Sequence, residues 1–121
     1  MKDFHDLHIW ERSHRLTLAI YAATAKFPRE ELYGLTSQIR RCAVSIGANI
    51  AEGCGKIGNN EFQRFLQIAA GSASELDYEL LLAKDLGYLT EPDYKRMADE
   101  LSQIRKMLSS LLRKVNAERK G

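Results

Sequence analysis

The sequence predicts an all-α protein, an antiparallel up-down-up-down four-helix bundle that occupies residues 1–121 as a single domain. Three observations lead there. Apolar residues recur at steps of three and four along four stretches, helix-breaking residues separate those stretches by short turns, and strand-like alternation is nearly absent. A chain of 121 residues holds one core and not two.

In the first helix Leu7, Trp10, His14, Leu18, Tyr21 and Ala25 share one face from about residue 7 to Lys26. Phe27-Pro28 closes it, because a residue before proline leaves the α region. A turn over Arg29 to Gly34 leads to the second helix, about Leu35 to Gly53, with Leu35, Ile39, Cys42, Ile46 and Ile50 as its apolar stripe. Three glycines within residues 53–58 end it. The third helix opens either at Asn60, with Gln63 completing a capping box, or at Gly58 with Glu61. It carries Phe62, Phe65, Leu66, Ala69, Ala73, Leu76, Leu80, Ala83 and Leu86 to a stop at Gly87. Thr90 reads as the N-cap of a fourth helix with Glu91, Pro92 and Asp93 in its first turn. Tyr94, Met97, Leu101, Ile104, Leu108, Leu111 and Val115 form its stripe, and the residues from Asn116 onward are expected to fray.

The composition, 45% hydrophobic and 28% charged with two prolines, excludes a disordered or low-complexity chain. A net charge of +2 is too small for a whole-molecule field, so any basic function rests on distribution. Residues 1–58 carry +2, residues 59–94 carry −5 and residues 95–121 carry +5. A negative middle and a positive tail favour helix pairing within the molecule, and they equally leave a basic end for phosphate. Cys42 and Cys54 lie about 18 Å apart along one helix, out of disulfide reach. The N-terminus lacks an apolar signal core and no apolar run reaches membrane length. The expectation is a reduced, soluble, cytoplasmic protein that does not enter a membrane.

The second helix breaks its own rules. Gln38, Arg41, Ser45, Asn49 and Glu52 recur at helical spacing, making a polar stripe on a helix that also has a full apolar one. Ser45, Gly47 and Asn49 are poor helix formers at mid-helix and call for a reason. A solvated face, an internal or inter-subunit hydrogen-bond network, and a ligand site all fit the pattern. In the third helix the six small residues Ala69 to Ser74 leave a groove that another helix can approach closely. Glu75 and Glu79 share a face there. With no His or Cys joining them, and no Glu-x-x-His, a solvated acidic face is the expectation and a di-metal centre has no support.

Basic residues concentrate in three places: the pair Arg40 and Arg41, Lys56 in the glycine-rich turn, and the pairs Arg105-Lys106, Arg113-Lys114 and Arg119-Lys120 on the fourth helix. A basic stripe along a helix is the footprint of nucleic-acid contact, and also what a helix packed on an acidic neighbour shows. Without interleaved aromatics, base stacking of the single-strand type is not expected. Gly53-Cys54-Gly55-Lys56-Ile57-Gly58 lacks the Gly-Lys-Ser/Thr of a nucleotide-binding loop. His5, His8 and His14 find no partner at ligand spacing in another helix, so no metal is expected. No nucleophile, base or metal set is visible, so neither enzymatic activity nor a cofactor is expected.

The strings Phe4-x-x-Leu7-x-Ile9-Trp10, Phe27-Pro28, Glu31-Leu32-Tyr33-Gly34-Leu35-Thr36-Ser37-Gln38-Ile39-Arg40-Arg41, Ala43-Val44-Ser45-Ile46, Asn49-Ile50-Ala51-Glu52-Gly53 and Phe65-Leu66 through Leu76 resemble the 23S rRNA intervening sequence protein family of bacteria, over about residues 4–112. The chain is also similar to the accessory variability protein of diversity-generating retroelements, a bundle whose basic surface engages nucleic acid and a reverse transcriptase. The resemblance implies a four-helix bundle assembled as a ring-shaped homopentamer. Carried over by position, its matched polar residues are Gln38, Arg40, Arg41, Ser45, Asn49 and Glu52. The chain departs from the family pattern at Gly47, where proline is usual, and at Gly58, where a serine cap is usual. In a ring, a polar stripe and small residues suit a subunit interface or a pore. The expected function is therefore a non-enzymatic homo-oligomer that binds RNA or DNA through Arg40, Arg41, Lys56, Arg105, Lys106, Arg113 and Lys114. Gln38, Ser45, Asn49 and Glu52 would serve the interface or an internal network. The alternative is an adaptor for a protein partner, without nucleic-acid contact.

Overall fold

Helix signals at the expected places produce four helices: α1 (His8–Thr24), α2 (Leu35–Cys54), α3 (Asn59–Asp85) and α4 (Glu91–Lys120). Two single 3-10 turns, Phe4–Asp6 and Arg29–Glu31, precede α1 and α2. The structure, a computed structural model, describes residues 2–120, with side chains to Glu118; the Arg119-Lys120 pair read from the sequence lies outside the described side chains. The described residues contain no strand.

Each helix end has a local cause. α3 stops at a Schellman motif: Gly87, at φ 83°, takes the left-handed conformation, its N–H donates to the Lys84 carbonyl, and Tyr88 N–H donates to the Ala83 carbonyl. Thr90 caps α4, accepting from Asp93 N–H at 3.2 Å. α3 opens at the alternative start, Gly58, and not with Asn60 as its N-cap. Gly58, at φ 92°, occupies the N-cap of α3 and supplies no side-chain hydrogen bond. The cap of α2 is not legible in the sequence: Glu31 Oε1 accepts from Leu35 N–H at 3.2 Å, while its Oε2 accepts from the Tyr88 hydroxyl at 3.0 Å. One carboxylate thereby ties the α1–α2 turn to the α3–α4 turn, and it pushes the Tyr88 phenol above its ordinary pKa.

The helices pack in chain order around one core, and α4 closes on α1. Trp10 lies against Gly47, Thr17 donates to the Ala43 carbonyl, and Arg40 reaches Tyr21 and Thr24. Gly53 meets Phe62 and Phe65, while Ser45 meets Ser72. Asn59 approaches Glu118, and Arg105 reaches Asp77 and Ser74. Arg12 pairs with Glu100 through two hydrogen bonds, at 2.7 and 3.1 Å, which holds its guanidinium above the usual pKa. The acidic middle and basic tail are thus partly spent on each other.

The predicted stripes of α2 and α4 are core, with Ile39, Ile46, Ile50, Leu101, Ile104 and Leu108 at most 1% exposed. The α1 stripe is a correction. Leu18 is 57% and Tyr21 42% exposed, whereas Ile9, Leu16 and Ile20 form the buried face. Ser13 and Thr24 disguise that inner face in the sequence. Their hydroxyls donate to the Ile9 and Ile20 carbonyls at 2.8 Å, so two polar residues sit in the core fully bonded. Leu86, read as the end of the α3 stripe, is also exposed.

The α2–α3 seam is closest at Gly53, where an added Cβ would stand 3.0 Å from both Phe62 Cδ1 and Phe65 Cβ. Gly53→Ala is therefore expected to destabilise the protein by about 1–3 kcal/mol through overpacking, against the usual gain of alanine over glycine in a helix. Urea unfolding checks it; an unchanged or raised midpoint would show that the seam has slack. Gly47 is different, since a Cβ there meets only the Trp10 indole at an ordinary 3.6 Å.

Candidate functional site

The polar stripe of α2 divides in the structure. At its centre Asn49 donates from Nδ2 to the Ser45 carbonyl at 2.8 Å and to Ser45 Oγ at 2.9 Å, and Ser45 shares a 2.7 Å hydrogen bond with Ser72 on α3. Ser72 belongs to the small-residue patch of α3, whose Ala69 and Ala73 are fully buried. The stripe and the patch are thus two halves of one contact. Gln38, Arg41 and Glu52 remain exposed.

The basic residues also divide. Arg40 is committed within the molecule: its Nε donates to Thr24 Oγ1 at 2.8 Å, its Nη2 donates to the Tyr21 carbonyl at 3.4 Å, and its guanidinium lies 4.6 Å from the Tyr21 ring centre. There it neutralises the C-terminal end of the α1 dipole. Arg105 is held by Asp77 Oδ2 at 2.9 Å and Ser74 Oγ at 3.1 Å. Lys106, Arg113 and Lys114 are exposed and form no ion pair among the described residues. Lys106 and Lys114 edge a groove of about 450 Å³ between the α1 start and α4, floored by Leu7, Ile9, Met107 and Leu111. Lys56, over the Phe65 ring, shares a small crevice at the α2–α3 turn with Lys2, a residue that sequence reasoning does not single out. Lys2 N–H donates to the Cys54 carbonyl, and that bond brings the N-terminus there.

Arg41 lies in a depression of about 790 Å³ shared with Tyr21, Leu32, Tyr33, Val44, Ala48 and Asn49. A neighbouring depression of about 410 Å³ continues it through Trp10, His14, Leu18 and Gly47. Tyr33 is 94% exposed. The outward stripe of α1 and one flank of α2 therefore make a continuous surface of apolar side chains interrupted by Ser37, Arg40, Arg41 and Asn49. Among the histidines, His14 stacks on Trp10 at 5.1 Å and His5 pairs with Asp3 at 2.7 Å.

Cys42 and Cys54 are free and buried. The carboxylates of α3 require a second correction. Glu75 is exposed as expected, but Glu79 is only 4% exposed, and its Oε1 has no hydrogen-bond partner. A cysteine does join them: the Cys42 sulfur and one oxygen of each glutamate all lie within 4.8 Å of one another. Spacing along α3 could not reveal this, because Cys42 arrives from α2. Burial is the main cause pushing the Glu79 carboxyl up to about 7; the Cys42 thiol opposes it, Glu75 adds to it and Arg41 opposes it more weakly. Burial also raises the Cys42 thiol, with Glu75 next.

The chain matches the 23S rRNA-intervening sequence protein family over residues 5–110. It is similar to the crystal structure of a protein of unknown function from the S23 ribosomal protein family of Bacteroides thetaiotaomicron. That similarity has a TM-score of 0.81 at 27% identity and covers 87% of this chain and 95% of that one. A search of curated proteins gave no match. No helix among the described residues is long and apolar enough to cross a membrane. Four helices on one core, together with a match spanning nearly the whole chain, place this protein in the 23S rRNA-intervening sequence protein family.

Proposed function

We propose that this protein is a non-enzymatic, bacterial, cytoplasmic homo-oligomer, a pentamer by family resemblance, that binds RNA or DNA through its basic surface. Its four helices run up-down-up-down, supported by contacts in which residue numbers rise on one helix as they fall on its neighbour. The kinship with the accessory protein of diversity-generating retroelements belongs to this reading. The observation that carries nucleic-acid binding is the set Lys106, Arg113 and Lys114: exposed cations on one helix that no carboxylate among the described residues neutralises. Arg41 and Lys56 extend the set, whereas Arg40 and Arg105 serve the fold. Assembly is supported by the exposed apolar side chains Leu18, Tyr21, Leu32, Tyr33 and Val44, which share one side of the molecule.

Binding to a structured RNA, titrated at several salt concentrations, tests the reading. The triple variant Lys106→Ala, Arg113→Ala, Lys114→Ala is expected to weaken binding and to flatten the salt slope by about 0.9 for each phosphate it no longer neutralises. Absence of binding by the parent protein at low salt, or an unchanged slope in the variant, would remove it. The exposed Leu32-Tyr33 corner favours a second reading, an adaptor for a protein partner. A partner retained after nuclease treatment would support that one.

A further inference from the structure

We propose that Cys42, Glu75 and Glu79 bind one divalent cation of the zinc class at the α2–α3 seam. Glu75 and Glu79, four residues apart, project from one face of α3, and Cys42 meets them from α2. Zinc holds sulfur at about 2.3 Å and carboxylate oxygen at about 2.0–2.2 Å, so donors on one tetrahedral ion stand about 3.5 Å apart. Donor atoms already within 4.8 Å need a contraction of about 1 Å. The long, exposed Glu75 side chain can supply it by rotation.

A second feature points independently to a ligand. Glu79 is a carboxyl group 96% removed from solvent; its Oε1 has no hydrogen-bond partner, and one of its two oxygens lies within 4.8 Å of the Cys42 sulfur and a Glu75 oxygen. A buried polar atom left so is destabilising, and a bound cation would satisfy it. Arg41, the nearby positive charge, would offset the excess of three anionic donors over a divalent ion. The thiolate favours zinc-like metals over magnesium or calcium, which prefer all-oxygen sites. Three protein donors leave a fourth position for water on the exposed Glu75 side. The site does not depend on the nucleic-acid reading.

Cobalt(II) is the probe, added at mildly alkaline pH to the full-length protein freed of metal by a chelator. A thiolate-to-cobalt charge-transfer band saturating at one cobalt per chain, and bleached by zinc, is the expected result. Cys42→Ala should abolish the band and Cys54→Ala should keep it. Glu75→Gln, a change at an exposed position that leaves the core intact, should weaken binding at least about tenfold. No charge-transfer band at millimolar cobalt, or a band that survives Cys42→Ala, would overturn the proposal.

Discussion

Replacing Leu18 and Val44 together by glutamate should turn the proposed homo-oligomer into single chains while leaving helix content intact. Both side chains line the depression beside Trp10 and Gly47, and they are 57% and 45% exposed, so neither supports the core. Each side chain is already about half buried, so covering the rest with a second copy contributes about 0.7–1.7 kcal/mol, and a glutamate in its place must instead be desolvated, which adds to the loss. Light scattering reports the mass and circular dichroism the helix content. A mass unchanged from that of the parent protein would show that this face is not a subunit contact.

The same residues show where the sequence is readable and where it is not. On α2 and α4 the apolar stripes are free of polar interruption, and periodicity finds the core directly. On α1 two stripes compete. The visible one turns outward at His14, Leu18 and Tyr21, while the buried one is broken by Ser13 and Thr24, whose bonds to their own helix appear only in three dimensions. Local stop signals such as Gly87 and Thr90 are legible because each acts within a few residues. The cap that Glu31 gives α2 is not, since it is shared with Tyr88 from a distant turn.

The candidate sites follow the same division. Ser45 and Asn49 stand out as misfits in a helix, and their bonds to each other and to Ser72 are the reason. Charge can be counted but not assigned: Arg40 and Arg105 look like Arg41 and Lys106 in sequence, yet each is occupied by a partner from another helix. Glu79 reads as solvated because nothing along α3 announces that Cys42 will cover it.

Glu79→Gln is expected to stabilise the metal-free protein near and above neutral pH. The folded carboxyl is pushed up to about 7, against an ordinary value of 4.5, so the folded state holds its proton more tightly than the unfolded chain does. Below the unfolded pKa both states are protonated and there is no penalty. As pH rises through that window, stability is lost progressively, reaching a deficit of about 3 kcal/mol once both states are ionised. Glutamine keeps the shape without the charge and removes the slope. Cys42, Glu75 and Arg41 are the groups that face this carboxyl and set the size of the shift. Urea unfolding in chelator, at about pH 5 and about pH 8, should show a stability loss in the parent that the variant lacks. Parallel pH profiles would mean that Glu79 is not the group responsible.

The proposed homo-oligomer depends on this chain working as several copies. The mass in dilute solution, measured by light scattering across a range of protein concentrations, tests that directly. The prediction is a single species whose mass is an integral multiple of the 13.7 kDa chain, close to five chains if the family resemblance extends to assembly. A particle with the mass of one chain at every concentration would contradict it.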